Sequence, residues 1–413
     1  MSATRREFLG RMGAAAVVAG THGITGLGAS RRAAYDLVIG GGRVVDAALG
    51  APRVADVAIT DGRIAAILPS IPRSEATEWL DARGKLVTPG LIDAHAHVYD
   101  GVASSNIDPD LVGLNQGVTT IVDAGSAGSQ TWPGFRKHVI EKARTRVYAL
   151  LNISSIGLTG PNETYVVPQW INQRGATETI QANRDRIVGL KVRINGRHED
   201  LTRDLEILKV GLEVAAATGV PILMHWTNER ALLDLLRRGD TLIHPFNPPS
   251  PNSSNLVGGE GTEILPQILE LKSRGIWTDF AHGGHLDWTV AETAAKAGWY
   301  PDALGTDLHR GHVPPNGVVH SVTTTMSKFV YLGLTPEQAI ERVTTNPAKM
   351  MPMPERIGTL ADGAVGDVSV LEVVDGSFEF IDTRRVARTG TKMIRAVAVV
   401  QGGKVETIAH TER

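Results

Sequence analysis

The sequence predicts an α/β protein: a (β/α)8 barrel of the TIM type carrying a small β-sandwich built from both chain ends. Residues 89 to about 350 alternate strand-like and helix-like runs, the two flanks are wholly β in texture, and polar residues recur near the ends of the predicted barrel strands. About 260 residues of strand–helix alternation suits a closed eightfold barrel, which typically runs near 250 residues. A doubly wound open sheet is the competitor, but no GxGxxG follows an early strand.

In chain order, residues 1–32 read as an export signal. Thr4-Arg5-Arg6-Glu7-Phe8-Leu9 precedes a small apolar stretch, Gly13 to Gly20, and a Gly/Ala/Ser segment ending near Ser30. That is the charged, apolar, small-residue order of a secretory leader. The paired arginines before Phe-Leu resemble a twin-arginine signal, which implies the twin-arginine export machinery as a partner and a periplasmic or otherwise exported bacterial protein. Cleavage is expected around residues 28 to 33. The apolar run is too short for a stable membrane span.

Residues 33–88 and 354–413 form the expected sandwich. DLVIGGGRVVD, DVAITDGRIAAIL and EWLDARGKLVTPG are short alternating or apolar runs parted by Gly-rich and Asp-Gly turns, and GTLADGAVGDVSVLEV and MIRAVAVVQGGKVETI repeat the texture at the far end. Neither flank is long enough to close a core alone, so the two are expected to pair. The barrel then occupies residues 89–353, with strands at Leu91 to Val98, Thr119 to Ala124, Val147 to Ile153, Ile187 to Ile194, Val220 to Trp226, Thr241 to Phe246, Ile276 to Ala281 and Ala303 to Leu308. LTRDLEILKVGLEVAAATG, ERALLDLLRRG, EILPQILELKSRG and WTVAETAAKAG show 3.6-residue spacing and stop at Gly, as helices between strands do.

Composition narrows the functional classes. Lys plus Arg (42) nearly balance Asp plus Glu (44), with no basic stripe, so no nucleic-acid surface is expected. A homo-oligomer stays open. The absence of cysteine excludes disulfides and thiolate metal sites, so any metal must rest on His, Asp, Glu or a modified Lys. Thirteen histidines are therefore the inventory to explain.

The stretch GLIDAHAHV, residues 90–98, sets two histidines into an otherwise apolar strand, and period-two alternation puts His95 and His97 on one face. Lys191 lies near the end of the fourth predicted strand, His225 of the fifth, His244 of the sixth and Asp307 of the eighth. Barrel sites are assembled at the C-terminal strand ends, so these residues converge on one mouth. Singly, each has a structural explanation in a hydrogen-bonded core residue, a turn or a snorkelling amine. Left together without partners, they would cost several kcal/mol each. A metal supplies the partner.

TPGLIDAHAHV, GLKVRI, PILMHW, LIHPFN and LGTDLH, in that order, resemble the amidohydrolase superfamily, and the resemblance spans nearly the whole chain beyond the leader. GVTTIVDAGSAG and TDFAHGGHLDWTVAETAAKAGWYPDALGTDLH are similar to its deacetylase and dihydroorotase-like branch. The resemblance implies two divalent metal ions per chain, zinc by preference, with His95 and His97 on one and His225 and His244 on the other. It also implies that Lys191, carboxylated by carbon dioxide, bridges the two and that Asp307 binds the first. A carboxylated lysine offers two oxygens to two cations, where an amine offers a single point. Two cations about 3.5–4 Å apart are then held by that anion and a shared hydroxide. The implied reaction is hydrolysis of a C–N amide, or an ester, of a small molecule: the bridging hydroxide attacks the carbonyl, and Asp307 moves its proton to the leaving group.

Arg193 shares a strand face with Lys191 and is a candidate clamp for a substrate carboxylate, a structural ion pair being the equal alternative. By resemblance, His282 is a histidine that orients substrate or the groups behind the metal ligands, although AHGG stands where the branch often has GHG, and His285 is additional. His309 is expected to face a loop. His22, His138, His198, His312, His320 and His410 are assigned to solvent or structure. The long connection Asn247 to Thr262 is a substrate wall or lid, and SSIGLTGPNETYVVPQW a second wall offering Tyr165 and Trp170.

Three functional readings follow. The first is a binuclear amidohydrolase that deacylates N-acyl amino acids or acylated 2-hydroxy acids. The second is a cyclic amidase, like a dihydroorotase or hydantoinase, or a deaminase. The third is an inactive binding protein on the same scaffold.

Overall fold

The computed structural model describes residues 33–103, 105–160, 167–194, 201–250, 254–258, 261–315 and 317–408. The leader, with His22, therefore lies outside the described residues, as do Tyr165, His198 and His410. Among the described residues no helix is long and apolar enough to cross a membrane.

The N-terminal flank supplies β1 (Tyr35–Val44), β2 (Arg53–Thr60), β3 (Arg63–Leu68), β4 (Ala76–Asp81) and β5 (Leu86–Pro89). After the barrel strands β6 (Leu91–Ala96), β7 (Val118–Gly128), β8 (Arg146–Asn152), β9 (Ile187–Val192), β10 (Ile222–His225), β11 (Thr241–Ile243) and β12 (Trp277–Asp279), the C-terminal flank adds β13 (Val368–Ile381), β14 (Ala387–Gln401) and β15 (Lys404–Glu406). The two flanks do pair: β13 runs antiparallel to β5, which runs parallel to the end of β1, and one mixed sheet results in the order β15-β14-β13-β5-β1-β2-β3, with β4 branching from β1. Leu37, Ile39, Val57, Ile59, Val87, Val368 and Val400 form its buried core.

The barrel strands run parallel in sequential order from β6 to β12. The eighth expected strand is present only as two parallel bridges, Asp279 to Ala303 and Ala96 to Leu308, which close the ring between β12 and β6. Between these bridges Asp307 adopts a left-handed backbone, φ 52°, which departs from strand geometry while its N–H still bonds His95 O. Continuous apolar strands buried on both faces are what a parallel sheet under helices requires.

Register irregularities aim the polar residues. Ile92 and Ala94 pack in the barrel interior and Ala96 in the outer layer, because β6 carries one extra residue against β7 between Asp93 and Ala96. In β9 an extra residue at Val188 puts Leu190 and Val192 in the outer layer, which returns Lys191 to the interior. A bulge of one residue flips every later side chain.

The expected helices appear as Leu201–Thr218, Pro266–Arg274 and Trp288–Lys296, each followed within two residues by a glycine at positive φ. ERALLDLLRRG differs: only Arg230–Leu233 is helical, and the chain goes on through i→i+3 turns, with Leu235 N and Leu236 N bonding Leu232 O and Leu233 O. Under β11 and β12 sits an aromatic cluster in which Phe280 lies 5.0 Å and Phe246 6.0 Å from Phe329. Since Phe246 follows His244 and Phe280 precedes His282, this cluster braces two segments of the barrel mouth. Phe329→Ala should cost about 3–5 kcal/mol of stability in denaturant unfolding; a loss below about 1 kcal/mol would mean that the cluster does not brace the mouth.

Candidate metal centre at the barrel mouth

All six residues expected from the strand ends lie at the same end of the barrel. His95 is in β6 and His97 one residue beyond it, Lys191 is in β9, His225 is the last residue of β10, His244 follows β11, and Asp307 lies in the closing segment. Asp307 Oδ1 is 3.1 Å from His97 Nε2 and 3.4 Å from His95 Nε2. The ring of His244 lies 4.8 Å from that of His225 and 5.6 Å from that of His95. Donor atoms of His95, His97 and Asp307 lie within 4.8 Å of one another.

Two glycines make this packing possible. Gly125, φ 88°, would place a Cβ 2.6 Å from Lys191 Cβ, and Gly283, φ 39°, would place one 2.0 Å from Asp307 Oδ2. Either substitution would push a site residue aside, which explains the Gly in VDAGSAG and in AHGG.

Electrostatically the centre is dry and histidine-rich. Burial first, then neighbouring positive charge, holds His225 and His244 well below the ordinary imidazole value. Burial also lowers His97, against the pull of Asp307. Burial and Lys191 pull His95 down, but Asp279 and Asp307 outweigh them and leave it raised. Burial would raise Asp307, yet the imidazoles of His95 and His97, 3.4 and 3.1 Å from its Oδ1, and that of His312 hold it well below the usual carboxylate range. Lys191 is lowered to about 7, chiefly by burial.

Both ring nitrogens of His95, Lys191 Nζ and Asp279 Oδ2 are buried and make no hydrogen bond among the described residues. Unbonded buried donors and acceptors are costly, and a cluster of them among imidazoles and an ionised carboxylate fits a divalent cation. His97 Nδ1 meets Ser126 Oγ at 3.1 Å and His244 Nδ1 donates to Ala281 O at 2.8 Å, so each ring keeps Nε2 for a ligand.

Sequence reasoning missed Asp279, His285 and His312. Asp279 Oδ2 lies 3.6 Å from His95 Nδ1, and Oδ1 accepts from Gly305 N, so it stands behind His95 as an orienting carboxylate. As the last residue of β12 it was open to the same strand-end argument as the others. His285 stacks on His244 at 3.6 Å. His312, expected in solvent or structure, donates from Nδ1 to Asp307 O at 2.7 Å, and its ring lies 3.6 Å from that of His309 and is tilted by 35° to it; the His309 ring in turn lies 6.3 Å from that of His97. No strand periodicity reaches these loop histidines. His138 and His320 are exposed, as expected.

Arg193, just beyond β9, is half-buried, and its charge is felt at Lys191, His225 and His309, which puts it on the mouth side. His282 is fully buried, and both its nitrogens are committed: Nδ1 donates to Gly283 O at 3.0 Å and Nε2 accepts from Lys328 Nζ at 2.6 Å. That leaves no ring atom for a substrate, in place of the direct contact expected from resemblance. Within the 247–262 connection Asn247, Asn255, Leu256 and Val257 are buried, whereas Ser250, Gly258, Gly261 and Thr262 are exposed. Trp170 is half-buried, its carbonyl accepting from Ser155 N at 2.7 Å.

Fold and site together define a parallel-barrel protein whose mouth carries His and Asp donors suited to a cation. Residues 86–403 match the amidohydrolase family, and the chain belongs to it. It is 34% identical over 332 residues to a deacetylase of Agrobacterium fabrum, covering 78% of each chain. Among solved structures it resembles an adenine deaminase (27% identity, TM-score 0.81, 90% of this chain and 100% of the other) and a dihydroorotase (28%, 0.77, 90% and 99%).

Lys328 is a second buried lysine. Its Nζ also donates to Ile381 O at 2.8 Å and Val318 O at 3.1 Å, and burial, partly offset by Asp382, lowers it from 10.5 to about 7. Between these values the unfolded chain holds a proton that the folded chain does not, so stability rises with pH across about 7 to 10.5. Lys328→Met should reduce that slope by about 1.4 kcal/mol per pH unit, one proton's worth, in denaturation series at several pH values. An unchanged slope would show that Lys328 stays protonated when folded.

Proposed function

We propose that the protein is a metal-dependent hydrolase that cleaves the C–N bond of an amide, or an ester, and deacylates N-acyl amino acids or acylated 2-hydroxy acids. The observation that carries this reading is the ring of imidazoles about Asp307 with the buried, unbonded amine of Lys191 beside it. The likeness to a deacetylase over most of both chains supports the bond type.

In this reading His95, His97 and Asp307 hold one divalent ion, zinc by preference, and His225 and His244 the other. Lys191, once carboxylated by carbon dioxide, would supply its carbamate oxygens as further ligands. An amine lowered to about 7 is substantially neutral at physiological pH, as that uptake requires. When bound, the ions supply Lewis acidity and a water acidic enough to ionise near neutral pH. The neighbouring imidazoles hold Asp307 well below the usual carboxylate range, so its ionised carboxylate can accept a proton and release it to the departing amine or alkoxide. Arg193 offers a fixed cation for a substrate carboxylate. His282 acts behind the site as a positioning residue. The Arg5-Arg6 leader supports export to the periplasm.

The fold's likeness to an adenine deaminase and a dihydroorotase favours a second reading, hydrolysis of a ring amidine or cyclic amide. One experiment separates the two: metal content per chain, with rates on N-acyl amino acids, acylated hydroxy acids, cyclic imides and adenine, for wild type and Lys191→Ala. About two ions per chain in the wild type and fewer in the variant, with activity on the acyl substrates lost in parallel, is the expected result. Turnover of adenine or cyclic imides alone would select the second reading. Metal binding without turnover of any member would favour a binding protein.

A further inference from the structure

What the two nitrogens of an imidazole touch decides which of them carries the hydrogen, and the histidines of the mouth divide on this point. His244 and His312 donate from Nδ1 to backbone carbonyls, Ala281 O at 2.8 Å and Asp307 O at 2.7 Å, so each can keep a lone pair on Nε2. His309 is the reverse. The backbone N–H of Gly311 donates to His309 Nδ1 at 3.0 Å, and a backbone amide nitrogen can only donate. Nδ1 therefore holds the lone pair, the ring is neutral, and its one hydrogen sits on Nε2. The same edge of the ring is closely covered, since a Cβ on Gly311 would meet Cε1 at 2.9 Å and Nδ1 at 3.2 Å. The Nε2–H has no hydrogen-bond partner among the described residues.

His309 stands two residues beyond Asp307, is half-buried, and has its ring 6.3 Å from that of His97. It follows the eighth segment of the ring, and Arg193 follows β9, the fourth strand, so the two face the mouth from opposite sides. The charge of Arg193 is nevertheless felt at His309, as it is at His225 and Lys191. A guanidinium and a neutral N–H thus border the space above residues that otherwise present lone pairs. An imidazole that donates from Nε2 cannot ligate a cation through that atom. Together with a guanidinium it suits a group with two acceptor oxygens and a negative charge, which is a carboxylate.

We propose that His309 is a specificity-determining residue that donates from Nε2 to one oxygen of a substrate carboxylate while Arg193 takes the other, so that the chain selects acyl amino acids or acyloxy acids whose carboxylate is ionised and unsubstituted. This rests on the deacylase reading above and names the group by which that substrate is recognised.

The test compares two probes on the metal-loaded full chain: the best N-acetyl amino acid of the panel above and its neutral methylamide, each measured as a substrate, or as a competitive inhibitor where it is not turned over. Variants are His309→Leu, His309→Gln, which keeps a side-chain N–H donor, and, as an exposed control, His138→Ala, with metal content per chain and thermal melts recorded for all. Wild type and His138→Ala should prefer the acid. In His309→Leu that preference should fall at least about 10-fold, the loss appearing in KM for the acid, as expected when a hydrogen bond to a charged group is removed. His309→Gln should recover part of the preference, which keeps the test decisive if His309→Leu folds poorly. A preference equal to that of wild type in both variants would overturn the proposal: an equal loss on both probes would place His309 at the reacting carbonyl or in the fold, and no loss on either would leave it without a substrate contact. Loss of metal from the variants would also overturn it, because His309 would then act through the ligands. A wild type that turns over no acyl substrate would overturn the deacylase reading and the carboxylate contact with it.

Discussion

The carboxylate of Asp307 stands where the barrel closes, and much of the mouth is arranged to hold it there. Asp307 N donates to His95 O, and the neighbouring Thr306 gives its backbone N–H at 3.0 Å and its hydroxyl to Asp93, a buried acid of β6 that burial raises to about 7. The hydrogen bonds that seal the eighth segment against β6 therefore also set the position of the site's acid. Asp307, His244 and Ala281 all adopt positive φ without being glycine. Such conformations cost about 1–3 kcal/mol each and persist only where the surroundings enforce them. Here three cluster at one mouth.

The two buried lysines show how partner geometry separates structure from chemistry. Both are lowered to about 7, mainly by burial. Lys328 Nζ has three acceptors, two backbone carbonyls and His282 Nε2, which is all an ammonium can use. Lys191 Nζ has none among the described residues, although Asp307, Asp279 and Asp123 lie close enough for their charge to be felt. A residue with every donor satisfied is held in place by the fold. One left unbonded amid carboxylates and imidazoles has no such structural account.

The convergence of His95, His97, Lys191, His225, His244 and Asp307 was legible because strand order and strand ends can be read from apolar periodicity, and a closed barrel turns sequence distance into a ring. The reason they point inward was not legible. Simple alternation from Ile92 and Ala94, or from Val188, would send His95 and Lys191 outward, and only the extra residues in β6 and β9 reverse the phase. A bulge depends on the pairing partner, which one strand's sequence does not contain. The pairing of the two flanks into one sheet followed from core size. Its branching at β1 did not, since β1 changes parallel partner from β4 to β5 along its length. His285 and His312 escaped because loops carry no period, and their approach to Asp307 depends on how segments far apart in sequence pack.

The C-terminal flank does more than complete its own sheet. The turn between β13 and β14 docks on the segment that follows β12: Thr383 N donates to Leu286 O, Leu286 N to Thr383 Oγ1, and Trp288 N to Asp382 Oδ2. Ile381 O simultaneously accepts from Lys328, which holds His282. The short loop bearing His282, Gly283 and His285 is thus held by a hairpin whose first strand begins about eighty residues later in the chain, directly and through Lys328. A loop with so few residues of its own could not fix two imidazoles and leave clearance for Asp307 without such external bonds, because ordering each residue costs about 1–2 kcal/mol of backbone entropy. The sheet built from both chain ends therefore helps to set the geometry of a site to which it contributes no ligand.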